Sequence, residues 1–289
     1  MGFANNGDTL RANRDMDRKT TLAHIINPVA APPASDLNTA QPITFESMRV
    51  AKEFADNRCD VRFFTAQYPE DHSVLPDGFQ VTPDLDRSVL DVATFQVPRK
   101  LPLISDILNR LYTASDAEYF IYTNVDIAVM PNFYATVSSI IDTGVDACVI
   151  NRRTISTHYT HVDELPLMYA EVGTRHPGYD CFIFRRHVLP RFELGMVCIG
   201  APRVGFVLVG NLICFSKRFR EFAEVHLTFH IGNERQWRDP RFQDYTDHNT
   251  RETTELYQRL MPKFDRSNLP DVTMPRLREF LNQLRTLPA

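Results

Sequence analysis

Apolar runs of strand length alternate with helical stripes from residue 22 to residue 151, and no other feature of the sequence narrows the fold as far. LAHIINPVA (Leu22–Ala30) reads as a buried first strand, closed by Pro28 and the stiff Pro32-Pro33 pair. Phe45, Met48, Val50, Ala51 and Phe54 follow at near-helical spacing, and CDVRFFTAQYPED then returns to strand character. In KLPLISDILNRLY, Leu101, Leu103, Ile104, Ile107, Leu108 and Leu111 form one helical stripe ahead of the strand AEYFIYTN. Pro131 marks the start of the next helix, Phe133, Val137, Ile140 and Ile141 share its inner face, Gly144 caps its end, and DACVIN is the following strand. Strands alternating with helices predict an α/β fold, a mostly parallel sheet flanked by helices on both faces.

Residues 1–19 are polar and lack an apolar core, which predicts a disordered N-terminal arm and no signal peptide. The second half is less regular. CFIF (Cys181–Phe184) and EVHLTFH (Glu224–His230) read as strands, residues 195–215 fit helix or strand equally, and RETTELYQRLMPKF and PRLREFLNQL read as helices. No Gly/Ser-rich linker divides the chain, so one domain is expected over 20–250, with 251–289 its C-terminal helical extension.

The balance of 32 basic and 36 acidic residues leaves a net charge of −4 without a long block of one sign. A nucleic-acid footprint and a polybasic membrane anchor are therefore not expected, and any anionic partner must be held by local groups. The five cysteines, at 59, 148, 181, 198 and 214, sit mostly in apolar runs and read as small buried hydrophobes of a reducing compartment. The longest apolar stretch, Val204–Phe215, is broken by Gly210 and Asn211 and is too short to span a bilayer. A cytoplasmic protein with no integral membrane segment is the expectation. P-loop, G-x-G-x-x-G, G-x-S-x-G and H-E-x-x-H motifs are all missing, which removes the common NTPase, dehydrogenase, hydrolase and zincin readings.

The run YFIYTNVDIAVM is built for a buried strand yet meets Asn124 and Asp126. A carboxylate at the end of an apolar run is costly to desolvate unless a cation, a hydrogen-bond network or an opening to water compensates. In an open α/β sheet ligands bind beyond the carboxyl ends of the strands, which is where TNVDI falls. Asp126 is thus either a ligand to a divalent cation, with Asn124 offering an amide oxygen beside it, or a loop cap. In HLTFH, strand periodicity places His226 and His230 on one face; His230 reads as a metal or phosphate contact or as a partly buried structural histidine, and His226 as structural. HPGYDCFIF sets Asp180 after a Pro-Gly turn, either as a general base whose pKa is raised by Tyr179 and Phe182, or as a turn carboxylate bonded to backbone amides. Arg152 and Arg153 follow a strand end and either meet phosphate oxygens or form an ordinary solvated terminus, and Arg185 and Arg186 read as the latter. Trp237 forms a wall of a sugar site or fills an apolar corner.

The order of these parts resembles the GT-A class of nucleotide-sugar-dependent glycosyltransferases over roughly Leu22 to Trp237: a first strand ending in a proline-bearing loop, a D-x-D-like element, a later acidic turn and a C-terminal histidine. The resemblance implies a GT-A-like, Rossmann-related sheet and hexosyl transfer from a nucleotide-diphosphate sugar to a sugar or glycan acceptor. It also implies Mn²⁺ or Mg²⁺ held by Asp126 and His230. Asn124 stands at the first D-x-D position, where the class has aspartate. The resemblance further implies donor contacts from Asn124, Asp126, Arg152, Arg153 and Pro28, with Asp180 as the base. A catalytically inactive sugar- or nucleotide-binding relative is the alternative that Asn124 motivates. A nucleotidyltransferase is a weaker one, because INPVAAPPASD carries neither the Gly nor the Lys of a phosphate loop.

Overall fold

The computed structural model describes residues 19–232 and 239–286. The arm expected over residues 1–19 lies, but for Lys19, outside the described residues, and so does Trp237. The main sheet has seven strands: β1 (Thr20–Ile26), β2 (Cys59–Thr65), β3 (Gln80–Val81), β4 (Tyr119–Thr123), β6 (Ala147–Ile150), β9 (Cys181–Arg185) and β10 (Phe219–Phe222). Their spatial order is β10-β6-β9-β4-β1-β2-β3, and only β9 runs antiparallel to its neighbours. Beside it a smaller sheet, ordered β5-β11-β7-β8, is formed by β5 (Ala128–Val129), β7 (Arg153–Ile155), β8 (Thr174–Arg175) and β11 (Thr228–Ile231).

Helices cover both faces of the main sheet, which is why β4 is buried at every position rather than alternating. Phe120 and Tyr122 enter one core together with residues of α2 (Ile104–Ala114), α5 (Val204–Phe215), α6 (Gln243–Leu260) and α7 (Pro275–Thr286). Tyr119 and Ile121 enter the other, shared with α1 (Leu37–Ala55) and α3 (Phe133–Asp142). The remaining short helix, α4 (Leu165–Ala170), packs under the small sheet. Leu256 and Leu260 of α6 and Leu277, Leu281 and Leu284 of α7 share the first core with the sheet, so the C-terminal helices are part of one body. All five cysteines are free, and four of them are buried.

The ambiguous run 195–215 resolves into the helix α5, whose residues from Val207 to Phe215 are buried save Cys214. The expected strand over Glu224–His230 is shorter and later. His226 lies ahead of β11, so the inference that it shares a strand face with His230 is corrected: the residues before Thr228 belong to the approach to the strand.

Candidate active site

A cleft of about 680 Å³ opens at the carboxyl ends of β4 and β6. Because β9 is antiparallel, its amino end lies beside those carboxyl ends: Cys181 pairs with both Thr123 and Ile150. Asp180, one residue earlier, is thereby set between the segment after β4, carrying Asn124 and Asp126, and the segment after β6, carrying Arg152. The small sheet delivers the last member. β5 follows Asp126 directly and pairs with β11, with Ala128 opposite Phe229, which brings His230 against Asp126.

Nε2 of His230 lies 3.1 Å from Oδ2 of Asp126, and Nδ1 lies 2.8 Å from the carbonyl oxygen of Gly232. A carbonyl only accepts, so Nδ1 carries a proton and Nε2 is the nitrogen presented to the carboxylate. Burial disfavours charge on both partners, yet each is held ionised by the other: the Asp126 carboxyl lies below its usual range, with Arg152 assisting, and the His230 pKa is raised. Oδ1 of Asp126 is buried with no hydrogen-bond partner among the described residues. Among the described residues no backbone amide donates to this carboxylate, the bond that a loop cap would make. Asn124 is exposed at the cleft, and its Oδ1 accepts from Tyr122 Oη at 2.9 Å.

Asp180 faces Arg152 Nε at 3.3 Å and His176 Nδ1 at 3.4 Å. The arginine contact is one of charge without hydrogen-bond alignment, since neither Asp180 Oδ2 nor Arg152 Nε has an aligned partner among the described residues. Nδ1 of His176 accepts from the Gly178 amide at 3.0 Å, fixing the Pro-Gly turn. Burial works against the Asp180 charge, but Arg152, His176 and His230 together draw its pKa below the ordinary carboxylate value. The expectation of a raised Asp180 pKa is thus corrected: the buried guanidinium beside it outweighs the shielding by Tyr179 and Phe182. The turn also meets α5. A Cβ on Gly205 would stand a tight 3.2 Å from the Tyr179 carbonyl oxygen, so the helix start packs closely against the residue before Asp180.

Asn124, Asp126, Arg152, Asp180 and His230 therefore converge, whereas Arg153 and Pro28 do not line the cleft. Arg153 Nη2 donates to the Glu224 carbonyl at 3.2 Å, and Pro28 is buried in the loop after β1. His226 lies next to Arg153, and burial together with that charge lowers its pKa. Arg185 stacks on Tyr119, and Arg186 stacks on Tyr112 while donating to the carbonyls of Ser115 and Tyr112, which makes both structural. His176, Arg203 and Arg276 line the cleft and were not among the expected site residues. They sit in a turn, before a helix and at a helix start, and no local pattern marks them.

The donor set fits a small divalent cation. Donors at adjacent positions of an octahedral ion with bonds of about 2.1 Å stand about 3 Å apart, close to the Asp126–His230 separation. The Nδ1–H bond to a backbone carbonyl is the usual support for a ligating imidazole. Among the described residues no group of three or more His, Cys, Asp or Glu side chains is placed to hold a metal. Other positions would then fall to water and ligand oxygens, as suits Mg²⁺ or Mn²⁺ and not a closed zinc site.

Together these features define an α/β fold with a mostly parallel sheet flanked by helices and a cleft at the strand ends. Its likeness is to structures of residues 1–349 of S. aureus TarS. The structure in complex with UDP aligns at a TM-score of 0.54 and 9% identity, covering 92% of this chain and 71% of that one. The structure in complex with UDP-GlcNAc aligns at 0.52 and 9%, covering 92% and 72%. No protein-family model and no curated protein sequence matches the chain.

Proposed function

We propose that the chain is a glycosyltransferase that moves a sugar from a nucleotide-diphosphate donor to an acceptor hydroxyl. One observation carries the reading. On a fold shared with TarS, whose structures hold UDP and UDP-GlcNAc, the Asp126–His230 pair, a buried arginine and a second carboxylate converge in one cleft at the sheet's carboxyl edge.

In this reading Asp126 and His230 hold a divalent cation, and Asn124 meets the donor beside them. The bound cation supplies charge stabilisation to the departing diphosphate without a proton donor. Arg152 adds its planar fork to the same oxygens. As the acceptor oxygen bonds to the anomeric carbon, the bond from that carbon to the donor phosphate breaks, the nucleoside diphosphate leaves with the electron pair, and the acceptor's proton passes to Asp180. With Arg152 beside it Asp180 is a weak base. Drawing Arg152 onto the diphosphate removes part of that counter-charge and raises the proton affinity of Asp180 when the hydroxyl must be deprotonated.

The testing experiment is a thermal-shift panel of UDP, GDP, ADP and CDP, each with Mn²⁺, with Mg²⁺ and with chelator. A ligand at about 100 times its dissociation constant stabilises the native state by about 2.7 kcal/mol, which is several degrees at about 2–4 °C per kcal/mol. The expected result is a shift for one nucleotide that needs the metal. Flat curves in all conditions would defeat the proposal. Among the described residues no helix is long and apolar enough to cross a membrane, so the assay needs no detergent on that account.

A further inference from the structure

The cleft has a second electrostatic half to which the donor gives no role. Arg203 and Arg276 both line it, one immediately before α5 and the other the second residue of α7. Among the described residues neither has a carboxylate within 4.0 Å. Among the described residues Arg203 is tethered at Nε, 3.4 Å from Thr250 Oγ1, and by its guanidinium 5.5 Å from the Phe206 ring centroid, with no partner at its terminal nitrogens. Its terminal nitrogens therefore remain for a ligand. Burial and the neighbouring charge of Arg276 both act to lower the Arg203 pKa. Arg203 is also the only non-glycine among the described residues with a positive φ, at 91°, a conformation that L side chains rarely adopt. The first turn of α5 beside it contains no acid.

Contacts give the order of groups along the cleft. His230 meets Asp126, Arg152 and His176 meet Asp180, the adjacent Tyr179 backbone meets Gly205, and Arg203 and Arg276 lie beyond. Asp180 thus stands between the cation-binding pair and the two arginines. If the donor diphosphate lies by Asp126 and the acceptor hydroxyl meets Asp180, the rest of the acceptor extends toward Arg203 and Arg276. The geometry points to an acceptor that carries an anionic group, a phosphate or a carboxylate, gripped by Arg203 and Arg276. Guanidinium forks match both anions bidentately, and an anion there relieves the repulsion between the two. This rests on the glycosyl-transfer reading for the word acceptor, while the anion site itself does not.

The experiment measures binding of glucose 6-phosphate, glucuronate, inorganic phosphate and neutral glucose to the full chain, with and without the nucleotide and Mn²⁺. The same series is run on the Arg203→Gln/Arg276→Gln double variant and on Arg203→Lys. Expected are at least ten-fold tighter binding of glucose 6-phosphate or glucuronate than of glucose, and loss of that preference in the double variant. Partial retention in Arg203→Lys and nucleotide affinity within about three-fold of the parent complete the expected pattern. Equal binding of charged and neutral sugars would overturn the proposal, and so would a double variant that keeps the preference. Loss of nucleotide affinity in the double variant would overturn it too, by moving the arginines to the donor. Anion preference in a chain that binds no nucleotide under any condition would leave the anion site standing and sink the glycosyl-transfer reading alone.

Discussion

Nε2 of His230 and Oδ2 of Asp126 stand 3.1 Å apart although 104 residues separate them in sequence. The contact exists because β5 and β11 pair immediately beside it. Two groups brought together in this way to hold the proposed cation should fail in a metal-conditional manner. His230→Ala is expected to weaken nucleotide binding by at least the ~10–100-fold that follows loss of a ligand's outer partner, with Mn²⁺ present and not with chelator. Asp126→Ala should abolish turnover and the metal-enhanced binding while melting as a folded protein. Titrations of each variant with and without Mn²⁺ decide it: an equal loss in both conditions would make the residue structural.

Asp180 and Arg152 are coupled by charge, so their variants should separate chemistry from binding. Asp180→Asn keeps the shape of the turn and removes the proposed base. Turnover is expected to fall about 10²–10⁴-fold with donor affinity within about three-fold of the parent. Arg152→Lys should instead weaken donor binding, because a point charge does not reproduce the planar fork. Steady-state kinetics beside nucleotide titration would show the split. Donor affinity lost in Asp180→Asn would reassign that carboxylate to the donor.

The parts legible in the sequence were those written as local periodicity. The YFIY run announced a strand buried on two faces, and the polar residues after it announced the edge where Asp126 now lies. VGFVLVGNLICF hid its helix for the opposite reason: it is apolar nearly all round, so no 3.6-residue contrast separates it from a strand. The Asp180 pKa was misread because the deciding neighbour, Arg152, is 28 positions away and is met only through the β6–β9 pairing. Arg203 and Arg276 carried no signal, since their meaning arises where α5 and α7 approach one cleft.

His24 gives the site a predictable sensitivity to acid. Its ring bridges Tyr134 Oη at 2.7 Å and Thr123 Oγ1 at 2.9 Å, one residue before Asn124, and burial lowers its pKa from 6.5 to about 3. Between those values the unfolded chain binds a proton that the native chain does not, so stability is full above pH 6.5 and falls as the pH drops. At about 1.4 kcal/mol per unit, this group removes about 2 kcal/mol between pH 6.5 and pH 5. Urea unfolding of the parent and of His24→Gln at both values tests it. The variant should lose about 2 kcal/mol less than the parent over that interval, and identical losses would show that His24 is not the titrating group.

Gly210 is the point where α6 locks onto α5. A Cβ there would sit 2.7 Å from Tyr257 Oη and 2.9 Å from its ring carbon Cζ, and that hydroxyl donates to the Phe206 carbonyl at 2.8 Å, which limits its retreat. Alanine at a helix interior gains up to about 1 kcal/mol over glycine, whereas overpacking costs about 1–3 kcal/mol. A net destabilisation of Gly210→Ala is expected, read as a lower urea midpoint. Tyr257→Phe removes the clashing oxygen at the expense of its hydrogen bond. The double variant should then be more stable than the sum of the two single changes predicts, by at least about 0.5 kcal/mol. Strict additivity would mean that α5 and α6 part without cost. Coupling would show that the helix preceded by Arg203 is held in place by the C-terminal segment, so loosening that segment should also weaken the grip on an anionic acceptor.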